Sequence, residues 1–469
     1  MSIVKTYIQH LLAQKGLTVA ANKTAFFDEF VADEANVALV NQIVENQQLL
    51  MDKWDLKNRI TDVVLQPISI PNGTVGKAYS AKIDLDKWKW QDITHLDFEG
   101  LDAIGLAFDD QTDHITGTPT QSGDLKIKMK FRVSGEADDS VLNEKTISLV
   151  VNPDPKSLWK TMESDKNAPY WRADDVAETS IFGDKHLVVA SKRGRSHANV
   201  GSFRDDDFAY KHFPETGWSI AAVADGAGSA KLSRKGAELA CHKTIEFFEN
   251  QFSPALMAEM QQVFEAEDAA EWSDLPNDLK IKIIQELYKI TVYVHTEIGN
   301  FAKSNENQLK DFHSTLIFCL FKKIPAGYLI LSFGVGDCPI ALLNPELSEV
   351  SLLNWLDVGE YGGGTRFVTM PEIFSAKEMS SRFGVQVVKD FSYLMLMTDG
   401  IYDPKFVVEA NLDKIDQWQA FLADLGGNNE ENTKVDFRAD NDEIANELAN
   451  WLNFWSAGNH DDRTLAIIF

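Results

Sequence analysis

Four aspartates of this chain lie at the ends of short apolar runs, where carboxylates could hold divalent cations. Asp225 and Asp399 each follow an apolar run and precede a glycine, Asp337 follows the glycine that ends a third run, and Asp461 precedes the last run. Apolar runs of this length predict buried strands, and carboxylate and carbonyl oxygens are the ligands that Mg²⁺ and Mn²⁺ prefer. A turn capped by aspartate explains any one of them. Four such acids within about 240 residues favour a metal centre.

Six segments, taken in chain order, resemble the motifs of the metal-dependent protein phosphatase family (type 2C, PPM), and most of all its compact bacterial branch. They are SHANVG from Ser196 with Asp205–Asp207, VADGAGSA from Val223, HSTL from His313, GVGDCPIALL from Gly334, LMTDG from Leu396 and DDRTL from Asp461. The resemblance covers residues 170–469. It implies an α+β fold, an α/β/β/α sandwich of two packed, mainly antiparallel sheets flanked by helices, with the metals at one end.

The resemblance also implies a role for each acid. In chain order, the metal-facing groups would be Asp205, Asp206, Asp225 with the carbonyl of Gly226, Asp337, Asp399 and Asp461. Asp225 would bridge two Mn²⁺ or Mg²⁺ ions, Asp205 and Asp206 would orient waters, and Asp337 is a candidate ligand for a third, weaker ion. Two such ions polarise phosphoryl oxygens and lower the pKa of a water between them. The implied enzyme is a serine/threonine protein phosphatase that needs no nucleophilic side chain.

Two departures from the family pattern concern phosphate binding and proton donation. Ala227 stands where eukaryotic members carry a histidine, and Gly201 stands where they carry a phosphate-binding arginine. We predict Arg195 and His197 as the catalytic substitutes, because Gly194 lets the basic turn approach the site; the alternatives are Arg193 and Arg204 for phosphate and His313 as proton donor. The arginines could instead only balance an acidic surface. A pseudo-phosphatase that binds phosphoproteins without turnover therefore remains an alternative.

The first third of the chain shows different sequence patterns from the rest. Apolar periodicity predicts helices over residues 1–58, either a helical cap or helices that dock a partner. Turn residues and alternating apolar positions predict strands over 60–153, and the GTPT segment from Gly117 resembles Ig-like or cadherin-like modules of bacterial proteins. Such an all-β sandwich would bind protein or act as a spacer, and a scaffold built on it is the third functional alternative. Prolines at 153 and 155 predict a linker before the phosphatase-like domain of residues 170–469.

Composition limits the partners and the compartment. The formal net charge of −26 disfavours nucleic acid or an anionic membrane as partner. Three cysteines without a paired spacing favour a reducing compartment. The sequence shows no signal peptide and no run long enough to cross a bilayer. We therefore expect a cytoplasmic protein of bacterial signalling, with a phosphoprotein substrate and a cognate Ser/Thr kinase or its target as partner.

One further loop could border the site. The glycine-rich segment from Gly359 to Phe367 resembles a segment of the bacterial branch. Consecutive glycines give a backbone with wide conformational freedom. The segment is either a flap on the substrate side or a plain hairpin loop.

Overall fold

The computed structural model describes residues 3–264, 275–357, 364–375 and 377–469. The chain divides into two compact units, Met1–Leu158 and Trp159–Phe469. Most of the glycine-rich segment predicted as a flap, residues 359–363, lies outside the described residues. Among the helices of the described ranges, none is both long enough and apolar enough to cross a membrane.

The first unit begins with three helices. These are α1 (Ile3–Gln14), α2 (Thr24–Ala32) and α3 (Glu34–Leu65), so the last helix continues past residue 58, where the sequence predicted the helical segment to end. Asp33 caps α3, because its carboxylate accepts hydrogen bonds from the backbone N–H groups of Ala35 and Asn36. At the other end of α3, the buried ammonium of Lys145 donates to the carbonyl oxygens of Val64 and Gln66.

Seven strands complete the first unit. They are β1 (Gly73–Thr74), β2 (Tyr79–Lys82), β3 (Ile93–Glu99), β4 (Leu106–Asp109), β5 (His114–Gly117), β6 (Gly123–Val133) and β7 (Asn143–Asn152). One sheet has the order β1-β7-β6-β3 and the other β2-β5-β4. Side chains alternate between buried and exposed along β7, as expected for a strand with one face on a core. The predicted N-terminal helices and β-rich region are both present, and the Ig-like identity of the latter stays a prediction.

The described residues of the second unit form eleven strands in two sheets. They are β8 (Asp175–Phe182), β9 (Lys185–Lys192), β10 (Asp207–Phe213), β11 (Trp218–Ala224), β12 (Leu316–Ile324), β13 (Gly327–Val335), β14 (Ile340–Leu343), β15 (Val350–Leu352), β16 (Phe383–Val388), β17 (Tyr393–Met397) and β18 (Arg463–Ile468). One sheet has the order β10-β11-β12-β13-β16, the other β15-β14-β17-β18-β9-β8. All of these neighbouring strands pair antiparallel.

Helices cover both outer faces of this pair of sheets. They are α5 (Ser233–Asn250), α6 (Pro254–Phe264), α7 (Asn277–Ser304), α8 (Asp399–Phe406), α9 (Ile415–Leu425) and α10 (Ile444–Trp451), while the short α4 (Arg195–Val200) follows β9. Ile220 and Ala222 of β11 pack with residues of α5 to α7, whereas Ala221 and Val223 pack between the sheets. Val188 of β9 packs with residues of α8 to α10 on the opposite face. The predicted α+β class and α/β/β/α sandwich are thus confirmed.

Candidate metal centre

Strand register brings the predicted acids to one end of the sandwich. In the first sheet, Asp207 pairs with Ala224, so the residues just outside this pair, Asp206 and Asp225, are neighbours. In the second sheet, Met397 pairs with Leu465, which places the loop before Asp399 beside the segment that follows Asp461. Because antiparallel partners end and begin at the same sheet edge, the acids converge although they are far apart in sequence.

The backbone around Asp225 is held by the segment before β12. The Asp225 N–H donates to the hydroxyl of Thr315 at 2.8 Å, and its carbonyl accepts the Thr315 N–H at 2.8 Å and the Ser314 hydroxyl at 3.0 Å. Gly226 forms an isolated antiparallel bridge with Ser314, whose two hydrogen bonds use the carbonyl oxygens of Asp225 and His313. The bridge therefore does not use the Gly226 carbonyl, the predicted metal ligand.

Four partly buried carboxyl groups interact with one another at this end of the sandwich: those of Asp225, Asp337, Asp399 and Asp461. Burial raises the pKa of Asp225 well above its usual value, and repulsion from Asp399, Asp206, Asp461 and Asp337 raises it further. Burial likewise raises the pKa of Asp399, with repulsion from Asp337 and Asp461. The pKa values of Asp337 and Asp461 are also raised, chiefly by burial. Mutually repelling carboxyl groups in a low-dielectric site favour a bound cation that compensates their charge.

Asp206 is fixed by two hydroxyl groups. It is 1% exposed, and its Oδ2 accepts hydrogen bonds from Thr398 and Thr464, each at 2.8 Å. Burial raises the pKa of Asp206, and the charge of Asp462 adds to the shift. Thr398 directly precedes Asp399 at the start of α8. The hydrogen bond from Thr398 to Asp206 therefore also fixes the position of Asp399.

Asp462 joins three segments at the edge of the site. Its Oδ1 accepts the N–H of Gly194 at 2.6 Å and lies 3.0 Å from Nδ1 of His197, while its Oδ2 accepts the N–H of Asp205. Nε2 of His197 lies 3.7 Å from Oδ1 of Asp461. Burial lowers the pKa of His197, but the hydrogen bond and the charges of Asp462, Asp205 and Asp461 outweigh it and raise the pKa to about 10. The acidic groups around His197 therefore favour its protonated form.

Asp205 lies beside Asp462 and His197 at the same edge of the site. Burial and the charge of Asp462 raise its pKa to about 7, although His197 and Arg234 oppose the shift. A Cβ at Gly226 would lie 2.5 Å from the Asp205 carbonyl oxygen. The two segments thus touch through their backbones, which explains why glycine occupies position 226.

The arginines predicted to bind phosphate donate hydrogen bonds mainly to backbone carbonyls and not to the four clustered aspartates. Arg195 donates to the carbonyl oxygens of Phe454 at 2.9 Å and Asn453 at 2.6 Å. Arg193 donates to the carbonyls of residues 162 and 202 and pairs with an aspartate at position 174. Arg204 donates to the side chain at position 191 and to carbonyls at 173 and 206. In the described part of the chain, no guanidinium hydrogen bond from these three reaches a carboxylate oxygen of the four-acid cluster.

A groove adjoins the site on the side of His313. His313 accepts the N–H of Ala227 through its carbonyl at 3.0 Å, and its Nδ1 lies 2.6 Å from the hydroxyl of Thr369. Burial lowers the pKa of His313, which favours the neutral ring. His313 lines a groove of about 660 Å³ together with Lys310 and Arg366.

Two residues of the centre were not anticipated from the sequence as contributing groups. Asp403 lies one helical turn after Asp399 on α8, and its charge raises the pKa values of Asp399, Asp461 and Asp337. The four-residue spacing of two aspartates on one predicted helix was the available signal. Cys338, directly after Asp337, brings its Sγ within 4.8 Å of a carboxylate oxygen of Asp225 and of Asp337.

Comparison with known proteins gives a family match. A family model described as protein phosphatase 2C matches residues 193–453, more than half of the chain. The matched range includes Asp206, Asp225, Asp337 and Asp399, whereas Asp461 lies just beyond it. No curated protein sequence matches the chain.

Several solved structures are similar to somewhat more than half of this chain. A bacterial serine phosphatase is 13% identical, with 60% of this chain and 96% of that chain covered and a TM-score of 0.31. The catalytic domain of the serine/threonine protein phosphatase PstP, solved with two manganese ions, is 16% identical, with 63% and 98% covered and a TM-score of 0.32. The Staphylococcus aureus serine/threonine phosphatase Stp1 is 12% identical, with 64% and 98% covered and a TM-score of 0.28.

Proposed function

Because the chain belongs to the protein phosphatase 2C family, we propose that it hydrolyses phosphoserine and phosphothreonine in proteins with two bound Mn²⁺ or Mg²⁺ ions. The observation that carries the proposal is the cluster formed by Asp225, Asp337, Asp399 and Asp461, whose pKa values are all raised chiefly by burial. Such a cluster is costly to build without a cation to compensate it.

The donor atoms suit hard divalent ions. Carboxylate and carbonyl oxygens are the ligands that Mg²⁺ and Mn²⁺ prefer. Oδ1 of Asp337 is buried without a hydrogen-bond partner, and an orphaned buried oxygen of this kind is explained by a missing ion or water. The ions would be held by Asp225, the Gly226 carbonyl, Asp399 and Asp461, with Asp225 as the candidate for the shared ligand.

When bound, two such ions supply Lewis acidity to the phosphoryl oxygens and lower the pKa of a water molecule. The chain's own contribution is orientation. Asp206 is locked by the hydroxyls of Thr398 and Thr464, which leaves its Oδ1 to position water. His197 holds its ring between Asp461 and Asp462, so its positive charge offsets part of the negative charge of the cluster. Asp337 would hold a third, weaker ion.

The substrate would enter along the groove that holds Lys310, His313 and Arg366. Arg366 is 46% exposed in its side chain and follows Thr365, whose hydroxyl donates to Asp337 at 2.8 Å. A guanidinium placed there can meet phosphate oxygens with its planar fork, and the neutral ring of His313, which lines the same groove, is a candidate proton carrier. The arrangement fits a phosphopolypeptide, which a Ser/Thr kinase must supply.

The first unit is proposed to bind protein or to act as a spacer, in a protein of the cytoplasm. Its helices present several exposed large apolar side chains, among them Phe26, Leu50 and Trp54. A protein-binding role accounts for such exposure.

One experiment tests the phosphatase proposal directly. The full chain is stripped of metal with EDTA and assayed on p-nitrophenyl phosphate and on a phosphothreonine peptide, with Mn²⁺, Mg²⁺ or EDTA. We expect turnover of both substrates with either ion and none with EDTA. Binding of the phosphopeptide without turnover at saturating Mn²⁺ would instead support a pseudo-phosphatase.

A further inference from the structure

Cys338 places a thiol in a site otherwise built from oxygen ligands. It is fully buried, and its Sγ lies within 4.8 Å of a carboxylate oxygen of Asp225 and of Asp337, which are themselves within that distance of each other. The other two cysteines of the chain, Cys241 and Cys319, belong to no such group among the described residues.

The backbone around Cys338 is fixed in this position. The side-chain amide of Asn354 donates to the Cys338 carbonyl at 2.9 Å, and its Oδ1 accepts the N–H of Ile340 at 2.7 Å. The Sγ lies 3.4 Å from the hydroxyl oxygen of Thr315, which also accepts the N–H of Asp225. The thiol is therefore anchored to the same hydroxyl that positions the central carboxylate.

A second observation points to a ligand at this place. Asp337 uses Oδ2 to accept the hydroxyl of Thr365, while its Oδ1 is buried without a partner. One sulfur and two carboxylate oxygens are thus available on one side of the cluster. Mg²⁺ and Mn²⁺ do not select sulfur, whereas Zn²⁺ and softer ions do.

The sulfur of Cys338 and the carboxylate oxygens of Asp225 and Asp337 can approach one another closely enough to bind one ion. Sulfur and oxygen ligands of a tetrahedral Zn²⁺ lie about 2.3 and 2.0 Å from the metal, which puts them about 3.5 Å from each other. The three atoms already lie within 4.8 Å, so side-chain rotations that move them by about 1 Å are enough.

We propose that Asp225, Asp337 and Cys338 form a binding site for a thiophilic divalent cation, Zn²⁺ or Cd²⁺, and that this ion displaces the activating ion from Asp225. On binding, the thiol forms a metal–sulfur bond and releases its proton to solvent. The inhibitory part rests on the proposed phosphatase function; the binding part does not. A thiophilic ion would thus hold the enzyme inactive at concentrations at which Mn²⁺ alone sustains it.

The test titrates the metal-free full chain with Cd²⁺ and records the ultraviolet charge-transfer absorption of a thiolate–Cd²⁺ bond. We expect the wild type to develop this absorption with one equivalent. Cys338→Ser should lose it and bind Cd²⁺ at least about 10–100-fold more weakly, since mutation of groups that only support the ligands already costs that much. Cys319→Ala, at a buried thiol away from the acids, should retain the absorption.

Persistence of the absorption in Cys338→Ser, or an unchanged Cd²⁺ affinity, overturns the proposal. Circular dichroism checks that the variants fold, and if Cys338→Ser does not, Cys338→Ala and Asp337→Asn serve in its place, each expected to weaken Cd²⁺ binding. A wild type that shows the absorption but hydrolyses no phosphoester refutes only the phosphatase function. An active enzyme without the absorption refutes only this site.

Discussion

Replacing Gly226 with alanine forces a methyl group into the backbone that borders the metal centre. The new Cβ would lie 2.5 Å from the carbonyl oxygen of Asp205 and 2.9 Å from the carbonyl carbon of Ser233. Neither atom belongs to a flexible side-chain end that could swing away. Because ordinary contacts of this kind begin at 3.4 Å, the two segments must separate by about 1 Å.

The size of the effect follows from this displacement. Misplacing catalytic groups by about 1 Å costs about 100-fold in rate, and Gly226 directly follows the central carboxylate. Asp205 also donates its N–H to Asp462, so the strain reaches a second segment of the site. Overpacking of this kind destabilises a fold by about 1–3 kcal/mol. We therefore expect Gly226→Ala to fold, with kcat/KM lowered by about 100-fold and with weaker Mn²⁺ binding.

The assay is hydrolysis of p-nitrophenyl phosphate as a function of Mn²⁺ concentration, with thermal unfolding measured in parallel. Gly228→Ala is the matched control, since a Cβ there would meet no atom within 4 Å and the residue belongs to the same loop. Its kinetics should stay within about twofold of the wild type. If the two alanine variants behave alike, the close backbone contact does not position the metal centre and the reasoning is refuted.

Asp225→Asn should abolish Mn²⁺-dependent turnover and leave the circular dichroism spectrum unchanged; retained turnover would remove this residue from the ligand set. The fragment 160–469 should fold and hydrolyse p-nitrophenyl phosphate, and a folded but inactive fragment would show that the first unit is needed for catalysis. The sequence predicts a rise in KM of more than about tenfold for Arg195→Ala, but the contacts of Arg195 lead us to expect the larger rise from Arg366→Ala; equal KM values would contradict this. Lys145→Met should cost about 1–3 kcal/mol, because it leaves two helix-end carbonyls unpaired, and an unchanged unfolding temperature would exclude that role.

The convergence of the aspartates at the strand ends could be predicted from the sequence, because a local sequence pattern marks each of them. An apolar run followed by Asp-Gly marks both a buried strand and the residue at its edge, and Asp225 and Asp399 follow this pattern. Antiparallel pairing then makes their convergence a consequence of topology. Asp461 and Asp337 are predicted in the same way, by their place beside a strand, and their role as ligands stays a prediction.

The residue that binds phosphate is harder to predict from the sequence, because this role depends on the direction in which a long side chain points. Arg195 lies in a basic turn close to the site in sequence, yet its guanidinium donates to carbonyls at residues 453 and 454. Those acceptors follow α10, about 260 residues further along the chain. No local pattern encodes such a partner, whereas the choice between a buried and an exposed strand face is encoded at every second residue.

The number of hydrogen bonds that each aspartate accepts distinguishes two roles. Some aspartates stabilise the fold, and others have oxygens free for a cation. Asp462 accepts from two backbone N–H groups and contacts His197, and Asp206 accepts from two hydroxyls, so much of their lone-pair capacity is used by the fold. Asp337 keeps one buried oxygen free. Composition and spacing make Asp461 and Asp462 equivalent neighbours, but three contacts join Asp462 to other segments. A carboxylate with that many donors fixes the loop that presents Asp461, which supports our proposal that Asp461 is the metal ligand of the pair.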